Sequence, residues 1–314
     1  MTEAADDELC LAIDIGGTKL AVALVDRAGQ LLWSDRTRTP HATDPEALFR
    51  VLSDLIDLAM LASGGRGRVV AIGIGCGGPM RDELVSPLNI VAWRDFPLAD
   101  RVRKLPTVAA TGCAVALEND AKALALGEGW CGRAAGCRNY LAMVVSTGVG
   151  GGIVLDGRLL EGRTGNAGHI GHVIVEPGGR KCGCGASGCL EAEASGTAIE
   201  AITGLAAADA PIEIRERTGR LVGRAVGSVA NLLDLELVLV GGSVALGFGA
   251  SFFLAAQREL TATARLSYAS AARIEPVGLD KDGPLVGAAA VGWEAAGRKL
   301  IGRRQGDETA TRPR

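Results

Sequence analysis

The sequence predicts an α/β fold built from two related domains, and three observations predict it. Short strands rich in β-branched residues alternate with helices whose apolar residues recur at helical spacing. An apolar strand running into a Gly-rich turn and out again occurs twice, as A-I-D-I-G-G-T-K-L-A-V-A-L-V-D from Ala12 and as V-V-S-T-G-V-G-G-G-I-V-L-D from Val144. Glycine is abundant, 45 of 314 residues, while aromatics make up only 4%, which suits a backbone bent tightly around a ligand in several places.

Taken in order, Leu9 to Ile15 reads as a buried strand, Gly16-Gly17-Thr18 as a tight turn, and Lys19 to Asp26 and Gln30 to Asp35 as further strands. Asp44 can cap a helix opened by Pro45, whose apolar residues are Leu48, Val51, Leu52, Leu55 and Ala59. Val69 to Gly75 reads as a central strand covered on both faces. Another strand ends at Glu118, and a helix follows from Ala121 to Glu128. Tyr140 to Leu160 repeats the opening theme: a strand, a Gly-rich turn at Thr147 to Gly152, and a strand at Ile153 to Asp156. A third strand-to-turn passage joins Leu237–Val240 to Gly241-Gly242-Ser243.

Two domains are expected. The smaller is 1–119, joined by a returning C-terminal helix, 284–301; the larger is 120–283. Residues 1–8 and 303–314 read as solvated tails, the latter disordered. The duplication is expected to set two Gly-rich hairpins across an interdomain cleft, with backbone N–H groups turned toward a nucleotide.

With a formal charge of −3, the chain offers no field to draw nucleic acid or an anionic membrane. It shows neither a secretory leader nor an apolar run long enough to span a bilayer, so a cytoplasmic location is expected. The eight cysteines then belong to a reducing compartment, where clustered thiols are metal ligands. One cluster stands out: His172, Cys182, Cys184 and Cys189, spaced H-x9-C-x-C-x4-C, supply one imidazole and three thiols for a closed, structural zinc ion. Cys10, Cys76, Cys113, Cys131 and Cys137 are scattered and read as small buried side chains.

Asp14, Gly16, Gly17, Thr18 and Lys19 combine a carboxylate, close backbone approach, a hydroxyl and a cation, the set that phosphate oxygens and magnesium require. Neither the P-loop pattern nor the dinucleotide fingerprint is present, since Gly16-Gly17 leads into a strand and not a helix. Glu118-Asn119-Asp120 stands where a strand meets a helix, and a carboxylate there can accept a proton from a hydroxyl nucleophile. An Asn or Asp at that place is also what a helix cap requires.

The opening hairpin, the S-T-G-V-G-G-G turn and the late V-G-G-S turn resemble the nucleotide-binding segments of sugar kinases with the duplicated actin-like ATPase (ribonuclease H-like) fold. The segments G-N-A-G-H-I-G-H-V and C-G-C-G-A-S-G-C-L-E resemble the ROK family signature, and the resemblance covers nearly the whole chain. It implies transfer of the γ-phosphoryl group of ATP, with magnesium, to the 6-hydroxyl of a hexose. Asp120 would be the general base, and Gly78, Asn119, His169, His172 and Glu191 would contact the sugar. Asp14, Gly16, Gly17, Thr18, Lys19, Thr147, Gly148, Gly241 and Gly242 would contact the nucleotide and its metal. The zinc would shape the loop that carries sugar contacts.

His169 stands where glucokinase-type members resembling this chain carry Glu, and H-x-G-H is similar to N-acetylmannosamine-kinase-type members. Glucose and N-acetylmannosamine both stay open as acceptors. The resemblance further implies a homodimer. It admits two other readings: a sugar-responsive regulator, for which the short stretch ahead of the first hairpin leaves no DNA-binding module, and a non-catalytic sugar sensor.

Overall fold

The computed structural model describes residues 7–40, 43–87, 89–298 and 300. The expected tails at 1–8 and 303–314 lie almost wholly outside them. The chain divides into two compact units, one comprising 1–136, 162–166 and 281–314, the other 137–161 and 167–280.

The first unit opens with β1 (Glu8–Ile15), β2 (Lys19–Val25) and β3 (Leu31–Arg38), an antiparallel meander. Helix α1 (Pro45–Ala62) follows, with the Asp44 side chain accepting from Glu46 N as its cap. Strand β4 (Arg68–Cys76) pairs parallel to β1, and a small hairpin of β5 (Met80–Arg81) and β6 (Leu84–Val85) leads through α2 (Leu98–Arg103) and α3 (Pro106–Ala109). Strand β7 (Ala114–Asn119) then pairs parallel to β4 and feeds α4 (Asp120–Cys131). The sheet order is β3-β2-β1-β4-β7.

The second unit repeats this plan. Strands β8 (Tyr140–Val145), β9 (Val149–Leu155) and β10 (Arg158–Leu159) form an antiparallel meander. After α5 (Leu190–Ala194), α6 (Gly196–Thr203) and α7 (Ile212–Leu233) comes β11 (Leu237–Gly241), parallel to β8. Helices α8 (Ser243–Phe248) and α9 (Ala250–Thr263) precede β12 (Arg273–Pro276), parallel to β11, and the order is β10-β9-β8-β11-β12. Order and strand sense match between the sheets, so the duplicated ribonuclease H-like fold of actin-like ATPases is present. Helix α10 (Gly283–Ala295) returns to the first unit.

The period of two along β1 decides how that unit packs. Leu9, Leu11, Ile13 and Ile15 enter the large core that α1 closes, while Cys10 and Ala12 face α10. The face toward α10 is small throughout: a Cβ added at Gly73 would sit 1.8 Å from Ala288 O and 2.5 Å from Gly292 N. Helix and sheet backbones therefore touch. In the second unit Gly219, Gly223 and Gly227 do the same for α7 against α9.

The structure departs from sequence expectation in three places. Gly150–Gly152 lie within β9, not in a turn, because Gly168 O and Ile170 pack where a Gly151 side chain would stand. The C-terminal helix stops at Ala295, where the Ala296–Gly297 turn with φ 84° at Gly297 ends it; the expected extension to Ile301 runs beyond the described residues. Cys131 is exposed, and Cys113 and Cys137 are only partly covered, so of the five scattered thiols Cys10 and Cys76 alone are fully buried.

Because the clash at Gly73 is with backbone, Gly73→Ala should cost about 3 kcal/mol. Urea denaturation measures it; an unchanged midpoint would show that α10 does not lie on this face.

Candidate functional site

Strand register brings the first unit's candidate residues together. Ile15 pairs with Cys76 and Cys76 with Asn119, so the carboxyl ends of three adjacent parallel strands finish at one level. Ligands of open α/β sheets bind at such ends. Asp14 continues the small-residue face of β1 and is 7% exposed. Burial pushes its carboxyl up to about 6; Lys19, whose Nζ lies 3.8 Å from Oδ2, pulls down, and the charge of Asp120 pushes up.

Beyond β1 the turn is held from outside. Gly16 N donates to Lys19 O at 3.0 Å. Thr39 Oγ1 donates to Gly16 O at 2.7 Å and Thr39 N to Thr18 O at 3.1 Å. A side chain at position 17 would force Asn89 to shift, since a Cβ there would meet Asn89 Cβ at 2.5 Å.

Asn119 and Asp120 share the start of α4 and divide its work. Asn119 is the cap: its side-chain oxygen accepts from Ala121 N at 3.0 Å and Lys122 N at 3.4 Å, and its amide donates to Gly78 O at 3.4 Å. Asp120 is thereby released from capping as its sole duty. Its Oδ1 accepts from Ala121 N at 2.7 Å, while Oδ2 lies over Gly77, where an added Cβ would approach it to 3.0 Å. The residue keeps an open face to solvent although protein crowds the carboxyl elsewhere. That crowding raises its pKa above the ordinary carboxylate value, and the Ala121 N–H opposes it.

In the second unit the Gly-rich turn is Ser146–Gly148, and its backbone is tied on every side. Ser146 N donates to Gly148 O at 2.9 Å, Gly196 N to Ser146 O at 2.7 Å, and Thr197 Oγ1 to Thr147 O at 3.1 Å. The Ser146 and Ser243 hydroxyls are 2.9 Å apart, joining this turn to the one after β11. There Gly242 has φ 94°, and a Cβ would fall 2.3 Å from Val145 O. Thr147, Gly148, Gly241 and Gly242 thus share the carboxyl ends of β8 and β11.

Glu191, expected at a sugar, braces the same turn: Oε2 accepts from Val149 N at 3.0 Å and stands 2.9 Å from where a Cβ of Gly148 would be. His169 precedes and His172 ends a short 3-10 turn, Ile170–His172, with ring centroids 6.2 Å apart.

The ligand atoms of His172, Cys182, Cys184 and Cys189 all lie within 4.8 Å of one another. Cys182 Sγ is 3.6 Å from His172 Nδ1, and Cys184 Sγ is 3.7 Å from Cys189 Sγ. A zinc tetrahedron has edges of about 3.6 Å between N and S and about 3.8 Å between two S, so the donor set fits. The N–H of Ala186 holds the Cys184 thiol low, whereas burial and the neighbouring thiols push Cys189 up to about 12. Cys189 also precedes α5, the helix that carries Glu191, so the cluster adjoins the brace on the Gly-rich turn.

Four participants are absent from the sequence reading. Thr39 locks the first turn. Buried Glu193 accepts from Arg180 N at 2.7 Å and Arg217 Nη2 at 2.6 Å, fastening the cysteine loop to α7. Lys122, only 2% exposed, pairs with Glu118 at 3.0 Å, and Asn166 bonds the Met80 backbone.

The ROK family model matches residues 10–294. This chain belongs to the ROK family. It is 37% identical over 260 residues to an N-acetylmannosamine kinase of Escherichia fergusonii, covering 76% of this chain and 84% of that one. Among solved structures it is similar to a ROK family glucokinase from Streptomyces griseus in complex with glucose and AMPPNP, at TM-score 0.75 and 28% identity, covering 91% of this chain and 99% of that one. It is equally similar to a ROK family transcriptional regulator, a homologue of the E. coli MLC protein, at TM-score 0.77 and 26% identity, covering 92% and 78%.

The elevated carboxyl of Asp14 has a consequence for stability. Its folded pKa of about 6 exceeds the ordinary 3.8, so the folded state holds the extra proton between these values. Stability from this group is therefore full below pH 3.8 and falls as pH rises through 6. Asp14→Asn should flatten that fall and stabilise the ligand-free protein at pH 7.5 by about 2–3 kcal/mol, measured by denaturation across pH 4–8. Identical pH profiles for parent and variant would contradict the burial described.

Proposed function

We propose that this ROK protein is an ATP-dependent sugar kinase with Asp120 as the general base. The observation that carries the reading is the pair Asp14 and Asp120 at the joined ends of β1, β4 and β7, with the Asp120 carboxyl over Gly77. The acceptor hydroxyl gives its proton to the Asp120 carboxylate as its oxygen bonds the γ-phosphorus; the bond from that phosphorus to the bridging oxygen breaks and ADP leaves. Asp14 would hold magnesium, which would supply neutralisation of charge on the phosphates, and Lys19 supplies a further cation. The AMPPNP-bound S. griseus glucokinase supports ATP as donor.

Between the two acceptors, N-acetylmannosamine is favoured. The E. fergusonii relative at 37% identity is an N-acetylmannosamine kinase, and His169 presents an imidazole that both donates and accepts. Glucose, on the strength of the S. griseus structure, is the second acceptor. Gly78, Asn119 and His172 complete the proposed sugar contacts, and Glu191 would join them while bracing its turn. The 6-hydroxyl is the proposed site of transfer, and cytoplasmic homodimers the proposed form. The regulator's similar fold supports a second reading, sugar-dependent control without turnover. Turnover itself separates the two.

Zinc is the proposed occupant of the four-ligand cluster. It would hold the cysteine loop and, through α5, Glu191; it takes no part in proton transfer. Native mass spectrometry should find one zinc per chain in the parent and none after Cys184→Ser, with the Gly-rich turn exchanging its amides faster. A metal-free parent would remove zinc from the account.

Asp120→Asn should keep shape and zinc content while abolishing the base. With ATP and magnesium, a panel of N-acetylmannosamine, N-acetylglucosamine, mannose and glucose should be turned over by the parent, N-acetylmannosamine fastest. The variant should lose at least about a hundredfold in kcat on the preferred sugar. Near-normal turnover by Asp120→Asn would remove the base; a parent inert on every sugar would remove the kinase.

A further inference from the structure

The chain leaves the second unit after Glu161, packs residues 162–166 on the first, and returns at Ala167, two residues before His169. Two side chains of the first unit's packing hold this strap. Lys122 donates from Nζ to Gly165 O at 2.9 Å, its charge balanced by Glu118 at 3.0 Å. A lysine 2% exposed is costly to bury, and it is retained here on a backbone carbonyl of the strap.

Asn166 does more. Its Oδ1 accepts from Met80 N at 3.4 Å and its Nδ2 donates to Met80 O at 3.0 Å, so one amide meets both backbone groups of a single residue. The same Nδ2 donates to Thr164 O at 2.9 Å, which fixes the amide in the strap. A side-chain amide both donates and accepts in one plane, and so stands in for a neighbouring strand.

Met80 ends the Gly77–Met80 loop, which is also held by the Asn119 amide on Gly78 O at 3.4 Å and by Ser86 N on Pro79 O at 3.2 Å. The loop is therefore gripped from both sides: by the residue that precedes the base, and by Asn166. Gly78 has φ 89°, a conformation that needs such support to stay in place.

We propose that Asn166 is a positioning residue for the acceptor sugar: it sets the Gly77–Met80 loop beside Asp120, with Lys122 holding the strap from behind. The inference rests on the sugar-kinase reading. It separates the two substrates, because the nucleotide turns have their own supports in Thr39, Gly196 and Thr197.

The test is Asn166→Ala beside the parent, with Lys122→Met as a second variant should the first fold poorly. Steady-state kinetics with each substrate varied in turn should show the acceptor KM raised at least tenfold, kcat within threefold, and the ATP KM within twofold. Hydrogen exchange in the peptide covering residues 77–81 should accelerate, with peptides of β1 and α1 unchanged. Faster exchange with an unchanged acceptor KM would make Asn166 a purely structural residue and overturn the proposal. Equal rises in both KM values, with exchange faster throughout, would do so too. A parent that phosphorylates no sugar would fail at the earlier step, the kinase reading, and is told apart from these outcomes by the parent's activity alone.

Discussion

Two carboxyl groups held short of full hydration, at the ends of three parallel strands, set the terms for the rest of this molecule. Asp14 is kept by the small face of β1 and Asp120 by the first turn of α4, and each is raised in pKa chiefly by the protein around it. Such placement costs stability in the empty protein. It is what a site requires if it is to take a proton from a hydroxyl and to meet a metal-bound polyphosphate. Gly73, Gly75 and Gly77 recur at every second position of β4 and its exit; the first leaves room for α10 and the third for the Asp120 carboxyl. A single alternation thus serves packing at one end of the strand and chemistry at the other.

Duplication supplied two copies of one topology and the copies have diverged in chemistry. The turn after β1 is framed by carboxylate and amine, Asp14 and Lys19. Its counterpart after β8 is framed by hydroxyls, Ser146, Thr147 and Ser243, and by backbone bonds from the start of α6. The cysteine cluster belongs wholly to the second copy, on a loop that has no regular strand of its own and ends in the helix bearing Glu191. The proposed zinc would suit a loop with little apolar surface to bury.

Much of this was legible from residues alone. Strand periodicity, the Asp44 cap and the spacing of His172 with three cysteines each reflect local rules, and local rules read directly from sequence. The division of labour at Asn119–Asp120 was only half legible: either residue suits a cap, and the choice falls to Asn119 because its amide also reaches Gly78 O. Gly150–Gly152 misled for a physical reason. Glycine signals both a turn and a close approach, and here Gly168 and Ile170 press on β9. Lys122 and Asn166 were invisible, since their partners are backbone atoms of segments about 40 and 86 residues away and no pattern in sequence marks such bonds.

The central claim is that the Asp120 carboxyl receives the acceptor's proton. The most direct measurement is a crystal structure with a non-hydrolysable ATP analogue, magnesium and the preferred sugar. The account predicts an Asp120 carboxyl oxygen about 2.6–3.2 Å from the hydroxyl that faces the γ-phosphate. A sugar seated with that hydroxyl on another side chain, and Asp120 bonded only to the start of α4, would contradict it.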